Sequence, residues 1–480
     1  MVFQFVRILH ARIKNTMIQI DPKIFPKTAG AFLVGGSIRD MLCGLLPLDY
    51  DIAVLGDPAE YAHRIEVRTN GRLVEIGKPG QVIIRVVSDM AIIDITPAKE
   101  ASIEKDLEAR DFTVNAMAYD LAAQRLIDPM RARRDLKNRT IRMVSKDIFK
   151  KDPVRLLRAY RIATQLGFEI EAKTQAAIKE NATRIRQSAG ERVRDEFFKM
   201  LQCTKSHASI CQMADNGLLF AILPELSNLK DCRPNRHHRF NALEHTLQAF
   251  FHLEKLLAAT PKSATDANTS LAHRIAKTQF PLMKFCILMH DIGKPSTQTV
   301  DPDGTLHFYG HARRSAQMTN QICRRLRCSN HFTTVSHFLV RHHTRPRDLY
   351  TAQQEQNATS RAATRFFIKC GTYLPELLVI AAADTLGKAS QHSRQHTAFI
   401  AFLVRLMLDF ESEFRPQAAK PRLIAGHDLI ADFGLKPSPL FKRILDRVEE
   451  ERLSNSKMTR QEAVNLVREL IQNQGSTKKK

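Results

Sequence analysis

The chain is short of acid, of paired cysteines and of long apolar runs. Its 480 residues carry 73 Lys+Arg against 50 Asp+Glu, a formal net charge of +23. A deficit of acid on that scale excludes a charge-neutral surface and calls for a polyanionic partner, nucleic acid foremost. The eight cysteines, at 43, 203, 211, 232, 286, 323, 328 and 370, include no C-x-x-C pair. This argues against a zinc knuckle and a disulfide scaffold, and implies a reducing, cytoplasmic setting. No window approaches the roughly 18–20 apolar residues of a membrane span, so a soluble protein without a membrane partner is expected. The apolar opening Met1–Leu9 lacks an A-x-A-like cleavage site and reads as a frayed extension, with Met17 as an alternative start. Internal repeats are absent, and low complexity is confined to Lys478–Lys480.

What is present suffices for two to four domains, with 44% apolar residues to build their cores. Short apolar runs at 31–34, 52–55, 73–76, 82–87 and 91–95, separated by Gly, Pro and Asn, predict a small sheet with a helix or two. From Asp152 the period changes: Val154, Leu157, Ile162 and Leu166 suit one face of a helix, and helical spacing continues to the C-terminus. The fold class is therefore α+β, a mixed-sheet head followed by an all-α remainder. Basic residues concentrate between Arg131 and Lys151. The polar, breaker-rich stretches 262–270 and 353–359 read as loops.

Chemistry enters with Gly35-Gly36-Ser37-Ile38-Arg39-Asp40, followed by Asp49-Tyr50-Asp51. A Gly-Gly turn lets backbone N–H groups approach a triphosphate without an intervening Cβ. In a strand, the period of two turns Asp49 and Asp51 to one face, where they can share divalent cations. Such a pair suits activation of a 3′-hydroxyl and departure of pyrophosphate. Asp94, in Ile92-Ile93-Asp94-Ile95, is a candidate third acid. Further on, Asp152-Pro153-Val154-Arg155 sets a carboxylate and a guanidinium at i and i+3, one turn apart on an expected helix. Cytosine and adenine each offer an exocyclic amine to Asp152 and a ring acceptor to Arg155, whereas uracil and guanine aim a carbonyl at the carboxylate. The expected donors are CTP and ATP.

These motifs, with Arg110-Asp111-Phe112-Thr113-Val114-Asn115-Ala116-Met117, Asp128-Pro129, Asp135-Leu136 and Glu191-Arg192-Val193-Arg194-Asp195-Glu196-Phe197, resemble those of class II tRNA nucleotidyltransferases and bacterial poly(A) polymerases of the DNA polymerase beta superfamily. The resemblance implies Mg²⁺ at Asp49 and Asp51, catalysis by these and Asp94, and nucleotide binding by Gly35, Gly36, Arg39, Arg110, Asp111, Asn115, Asp152 and Arg155. It also makes Arg158 and Arg161 available to phosphates, assigns the Glu191–Phe197 helix to bracing, and names the tRNA 3′ end as partner. Three departures stand out. Ala109 and Lys151 replace a family Arg and Glu, and the glycine expected after Asp128-Pro129 is missing. Only about sixteen residues separate Asp94 from Arg110, a short loop that resembles enzymes adding only the two cytidines or dividing the work with a second enzyme.

His245, His290-Asp291 and Asp384 reproduce the H, HD, D order of HD phosphohydrolase domains, which the chain resembles from about Arg236 to Leu386. Imidazoles and carboxylates on packed helices suit a divalent transition metal, and phosphomonoester or cyclic-phosphodiester hydrolysis is the matching chemistry. Histidines 311, 342 and 343 are candidates for a second metal. The expected segments are an extension (1–29), a nucleotidyltransferase head (30–145), a neck and RNA-binding region (146–230), an HD domain (231–395) and a helical tail (396–480). The expected function is template-independent addition of C, A or both to tRNA 3′ ends. A poly(A) polymerase, or an HD phosphohydrolase with an RNA-binding front half, is the alternative.

Overall fold

The computed structural model describes residues 18 and 20–477, apart from 48, 79–80, 99, 233–240, 260–270, 273, 356–359 and 389–393. The Met1–Leu9 opening, Met17, the stretch 262–270, most of 353–359 and the terminal lysines lie outside them. Gln353 and Gln354, expected in a loop, form the end of the helix Arg345–Gln354. The chain divides into two compact units, Met1–Met200 with Gln212–Ile222, and Leu201–Cys211 with Leu223–Lys480.

The first unit is built on a mixed sheet of β1 (Ala31–Val34), β2 (Tyr50–Val54), β3 (Arg72–Lys78), β4 (Gln81–Val87), β5 (Ile92–Pro97), β6 (Ala118–Asp120) and β7 (Arg125–Ile127). Its strand order is β3-β4-β5-β2-β1-β6-β7. Only β2 and β5 run parallel; their register sets Asp51 beside Asp94. The apolar runs anticipated five of these strands; β6 and β7 have three residues each, too few to show alternation. All four residues of β1 are buried, as a central strand covered on both faces requires.

One covering helix, α2 (Pro58–Thr69), shows why the local sequence folds as it does. Asp57 caps it by accepting from Ala59 N–H, Pro58 occupies the first turn, and Asn70 ends it in the left-handed region. It buries Tyr61, Ala62 and Ile65 against the sheet. Ile24 and Phe25, in the extension expected over 1–29, belong to the same core, with Phe25 edge-on to Tyr50 at 5.1 Å.

Two further helices, α1 (Gly36–Leu42) and α3 (Ile103–Glu108), pack on the sheet through Ile38 and through Ile103 and Leu107. Beyond α4 (Ala132–Lys137), the helical continuation comprises α5 (Ile148–Lys151), α6 (Arg155–Leu166), α7 (Ala172–Asn181) and α8 (Gly190–Leu201). Gly167, at φ +67°, closes α6 in the left-handed region.

Among the described residues, the regular structure of the second unit is helical apart from the two-stranded pair at 299–300 and 306–307. The helix Phe280–Met289 is buried nearly all round, which marks it as a core element. Its Lys284, fully buried, reaches Glu254 Oε1 at 2.5 Å and Ser206 Oγ at 3.1 Å, the pairing a buried ammonium needs. The helical stretch Arg361–Leu386 is long and apolar enough to span a membrane by length and composition, contrary to the expectation that no window comes close. Two-thirds of its apolar window is buried inside the protein, so its hydropathy is that of a core helix.

Candidate functional site

The first site lies where β1 runs into α1. Gly35 occupies φ +76°, and a Cβ there would come within 3.0 Å of Arg110 Nη1 and 3.4 Å of Asp51 Oδ2. Glycine is thus required both by backbone conformation and by the close approach of two expected site residues. The Gly35 N–H is directed to Met117 O at 3.4 Å, which leaves the first turn of α1 as the source of free backbone donors. We expect Gly35→Ala to raise KM for the nucleoside triphosphate about tenfold, as 1–2 kcal/mol of backbone strain implies, in steady-state incorporation assays.

Asp51 lies within β2, while Asp49 precedes the strand in a bend rather than continuing the alternation. The three carboxylates nonetheless act on one another. Loss of hydration in the cleft, then the charges of Asp49 and Asp94, push the Asp51 carboxyl up to about 6 despite nearby Arg110 and Arg85. Like charges held this close have a use for a cation, and an all-oxygen donor set suits a hard one. Asp94 is gripped at both oxygens by Arg85, at 2.6 and 2.7 Å. Arg85 faces Asp94 directly across β4 and β5. Its signal in the sequence was a lone charge inside the apolar run Val82–Val87.

Arg110 donates to Asp106 at 3.0 Å across one helical turn. Arg39 donates to Asn115 Oδ1 at 2.7 Å and to Asp40 at 2.8 Å. Asn115 in turn donates to Asp111 at 3.0 Å. Burial acts to raise the Asp111 carboxyl, but Arg158, Asn115 and the Phe112 N–H together hold it below the usual range. The expected nucleotide-binding residues 39, 111 and 115 therefore form one connected network.

Asp152 and Arg155 do not share a helix. Pro153 disfavours helical backbone at the residue before it, so Asp152 ends α5 in an extended conformation and Arg155 opens α6. Their side chains are 3.9 Å apart. Arg192 on α8 is the unforeseen member of this pair, holding both Asp152 oxygens at 3.1 and 2.8 Å. Its position in Glu191–Phe197 was visible, but forty residues of sequence hid its target. Arg155 Nε and Nη1 are buried with no hydrogen-bond partner. Arg158 donates to Asp111 at 3.0 Å and to Glu196 at 2.9 Å, and Arg161 donates to Glu196 as well. Both therefore brace α6 against α8.

In the second unit His245, His290 and Asp384 converge as one possible ligand group, and Asp291, His311 and His343 as another. His245 Nε2 is 2.9 Å from Asp384 Oδ1, and Lys294 Nζ is 2.6 Å from Asp291 Oδ2. Burial acts to lower the His290 imidazole, yet Asp291 and Asp384 outweigh it and lift it to about 10. Burial takes His343 down to about 3. His342, a candidate ligand, turns away and packs on Phe338 at 4.7 Å. A cavity of about 310 Å³ opens beside the cluster, lined by Lys294, Lys388, Arg347, Phe308 and Tyr309 among others.

Acids gathered on a mixed sheet beside a glycine turn suit nucleotidyl transfer, and the similar proteins bear out a nucleotidyltransferase. Residues 31–142 match the "Poly A polymerase head domain", 167–230 the "Probable RNA and SrmB- binding site of polymerase A", and 243–387 the "HD domain". An A-adding tRNA nucleotidyltransferase of Deinococcus radiodurans is 32% identical over 93% of this chain and 97% of its own. A CC-adding tRNA nucleotidyltransferase of Thermus thermophilus is 29% identical over 90% and 92%. The Multifunctional CCA protein of Methylococcus capsulatus is 31% identical over 65% and 71%. The fold is also that of a Thermotoga maritima CCA-adding enzyme complexed with tRNA, at TM-score 0.60, 20% identity and 92% and 91% coverage. The chain belongs to the tRNA nucleotidyltransferase family.

Proposed function

We propose that the chain adds part of the CCA end to tRNA, transferring CMP or AMP from CTP or ATP onto the 3′-hydroxyl and releasing pyrophosphate. The observation that carries this is the crowding of Asp51 by Asp49 and Asp94 next to Gly35. The carboxylates of Asp49, Asp51 and Asp94 suit Mg²⁺, which when bound would neutralise the triphosphate and favour ionisation of the attacking hydroxyl. The first turn of α1 and Arg110 orient the phosphates, while the Arg39–Asn115–Asp111 network holds the pocket's shape around the sugar. Arg155 donates its two unpartnered N–H groups to the base. Asp152 keeps Arg192 and still accepts from an exocyclic amine, because each carboxylate oxygen offers two lone pairs. Catalysis here is positioning and charge neutralisation.

Partial rather than complete CCA addition is supported by the short connection between β5 and α3 and by full-length similarity to A-adding and CC-adding relatives. The basic surface suits tRNA, and eight free cysteines suit the cytoplasm. The test is single-nucleotide extension of tRNA transcripts ending at the discriminator base, at C and at CC. Incorporation of CTP alone on the first two, or of ATP alone on the third, is the expected pattern. Completion to CCA by this chain alone would overturn partial addition, and repeated ATP addition to any RNA would favour a poly(A) polymerase.

A second activity is favoured by the cavity at the HD cluster. Lys294, Lys388 and Arg347 at its wall suit a phosphate, and the histidines and acids suit a divalent transition metal that would supply an activated water. Hydrolysis of a phosphomonoester or cyclic phosphodiester is the matching reaction.

A further inference from the structure

We infer that the open sheet face around Arg85, Val87 and Ile92 is a platform on which the 3′-terminal base of the acceptor RNA rests during transfer. This rests on the proposed transfer to an RNA 3′-hydroxyl, and adds a subsite for a part of the substrate that the acids and the phosphate-orienting groups leave unheld.

The pleat sorts the residues of β3, β4 and β5 onto two faces. Leu73, Ile84, Val86, Ile93 and Ile95 join the core beneath α2. The residues between them point the other way, and the register lines them up in rows. Arg72 stands opposite Val87, Val74 opposite Arg85 and Ile76 opposite Ile83. Arg85 then faces Asp94, and Val87 faces Ile92. Parallel pairing adds Asp51 beside Asp94, so the acids share this second face. Over β1 and β2 it is covered, where Ile103 and Leu107 of α3 pack with Phe32, Val34 and Ala53. Over β3 to β5 it stays open, and Val74, Ile76, Val87 and Ile92 are 37–41% exposed. A sheet with one face on the core ordinarily turns polar residues outward on the other. Contiguous apolar side chains left open beside a reaction centre mark a binding surface.

The neighbours of the patch specify its occupant. Ile92 lies two residues, about 7 Å, along β5 from Asp94, with Val87 across from it. A 3′-oxygen brought to the acids carries its base on the same ribose, and so lays that base over this end of the patch. Arg85, between them, is pinned by Nε and Nη2 to the two Asp94 oxygens at 2.6 and 2.7 Å, yet its side chain is 37% exposed. A guanidinium held in one plane is a stacking surface for a base, and the branched side chains of Val87 and Ile92 extend it. Valine and isoleucine offer no hydrogen bond, and the Arg85 fork is spent on Asp94. Contact of this kind takes any base by its π-face. That tolerance is what an acceptor end needs when its last base changes from the discriminator to C as addition proceeds. Arg72, exposed at the outer rim opposite Val87, suits the phosphate behind the terminal nucleotide.

The test compares tRNA transcripts whose 3′-terminal nucleotide is intact or abasic, the abasic one keeping its ribose, 3′-hydroxyl and phosphate, on the full parent chain and on Val87→Ser/Ile92→Ser. On the intact primer the double variant should lose roughly tenfold in kcat/KM for RNA, as loss of one base stack implies, with KM for CTP or ATP unchanged. Removing the base should cost the parent about the same factor and the variant little more, because base and platform act as one contact. Val87→Thr/Ile92→Thr, which keeps the branched shape and strand preference, should repeat the pattern at smaller amplitude and so guards against a folding defect. Equal losses by the variants on both primers, or full efficiency of the parent on the abasic primer, would overturn the platform while leaving nucleotidyl transfer intact. No incorporation by the parent on any primer would overturn the transfer reading, and the platform with it.

Discussion

Asp51→Asn is expected to lower nucleotide incorporation by on the order of 10³-fold, the loss typical when a group aimed at developing transition-state charge is removed. The same substitution should make the fold more stable at pH 8. Asp51 is held at about 6 by loss of hydration and by Asp49 and Asp94. A folded value above the unfolded one means that the native state binds the extra proton between about 4 and 6, so stability falls as pH rises through that window. Above it the wild-type protein carries the full repulsion, and the neutral amide relieves it. A gain of roughly 1–2 °C in melting temperature at pH 8, shrinking toward zero at pH 4, is the expected pattern in scanning fluorimetry without added metal. Addition of millimolar Mg²⁺ should narrow the difference, because a cation bound to the native carboxylates stabilises only the wild-type chain. A variant that kept its activity would remove Asp51 from the metal assignment. One that lost activity with no gain in stability at any pH would place the repulsion elsewhere. Stability given up at an active site in this way is a general trade.

Glu196→Gln should destabilise the first unit by about 3 kcal/mol, the lower end of what breaking a buried ion pair costs. Glu196 is 8% exposed and accepts from both Arg158 and Arg161. Replacing it by a neutral amide leaves two guanidinium groups of α6 without their common counter-charge, and weakens the Arg158–Asp111 contact that anchors the Arg39–Asn115–Asp111 network. The expected observation is a lower urea midpoint for unfolding of the first unit, with KM for CTP or ATP rising as Asp111 loosens. The resemblance offered both arginines to phosphates, whereas their side chains are engaged by carboxylates. A Glu196→Gln variant with unchanged stability but weaker tRNA binding would favour the phosphate role instead.

The motifs that were legible are those whose members sit close in sequence. Gly35-Gly36 declares a backbone need, Asp49-Tyr50-Asp51 a charge density, and His290-Asp291 a ligand pair, each within a few residues. Periodicity told the sheet from the helices for a similar reason, since alternation and the 3.6-residue repeat are local properties of the chain. Strands of three residues escaped it, as did the break in helix between Asp152 and Arg155, although Pro153 was in plain view.

The linear chain thus determined the class of chemistry, because residue type and short-range spacing dictate which groups can bind phosphate, read a base edge or hold a cation. Tertiary structure alone decided which of those groups are already engaged. Arg192 on Asp152, Arg85 on Asp94 and Glu196 on Arg158 join residues that are neighbours only after folding, as does Asp291 beside His311 and His343. Whether a charge is free for substrate or used to brace the fold depends on its partners within about 4 Å, and packing of distant segments sets that distance.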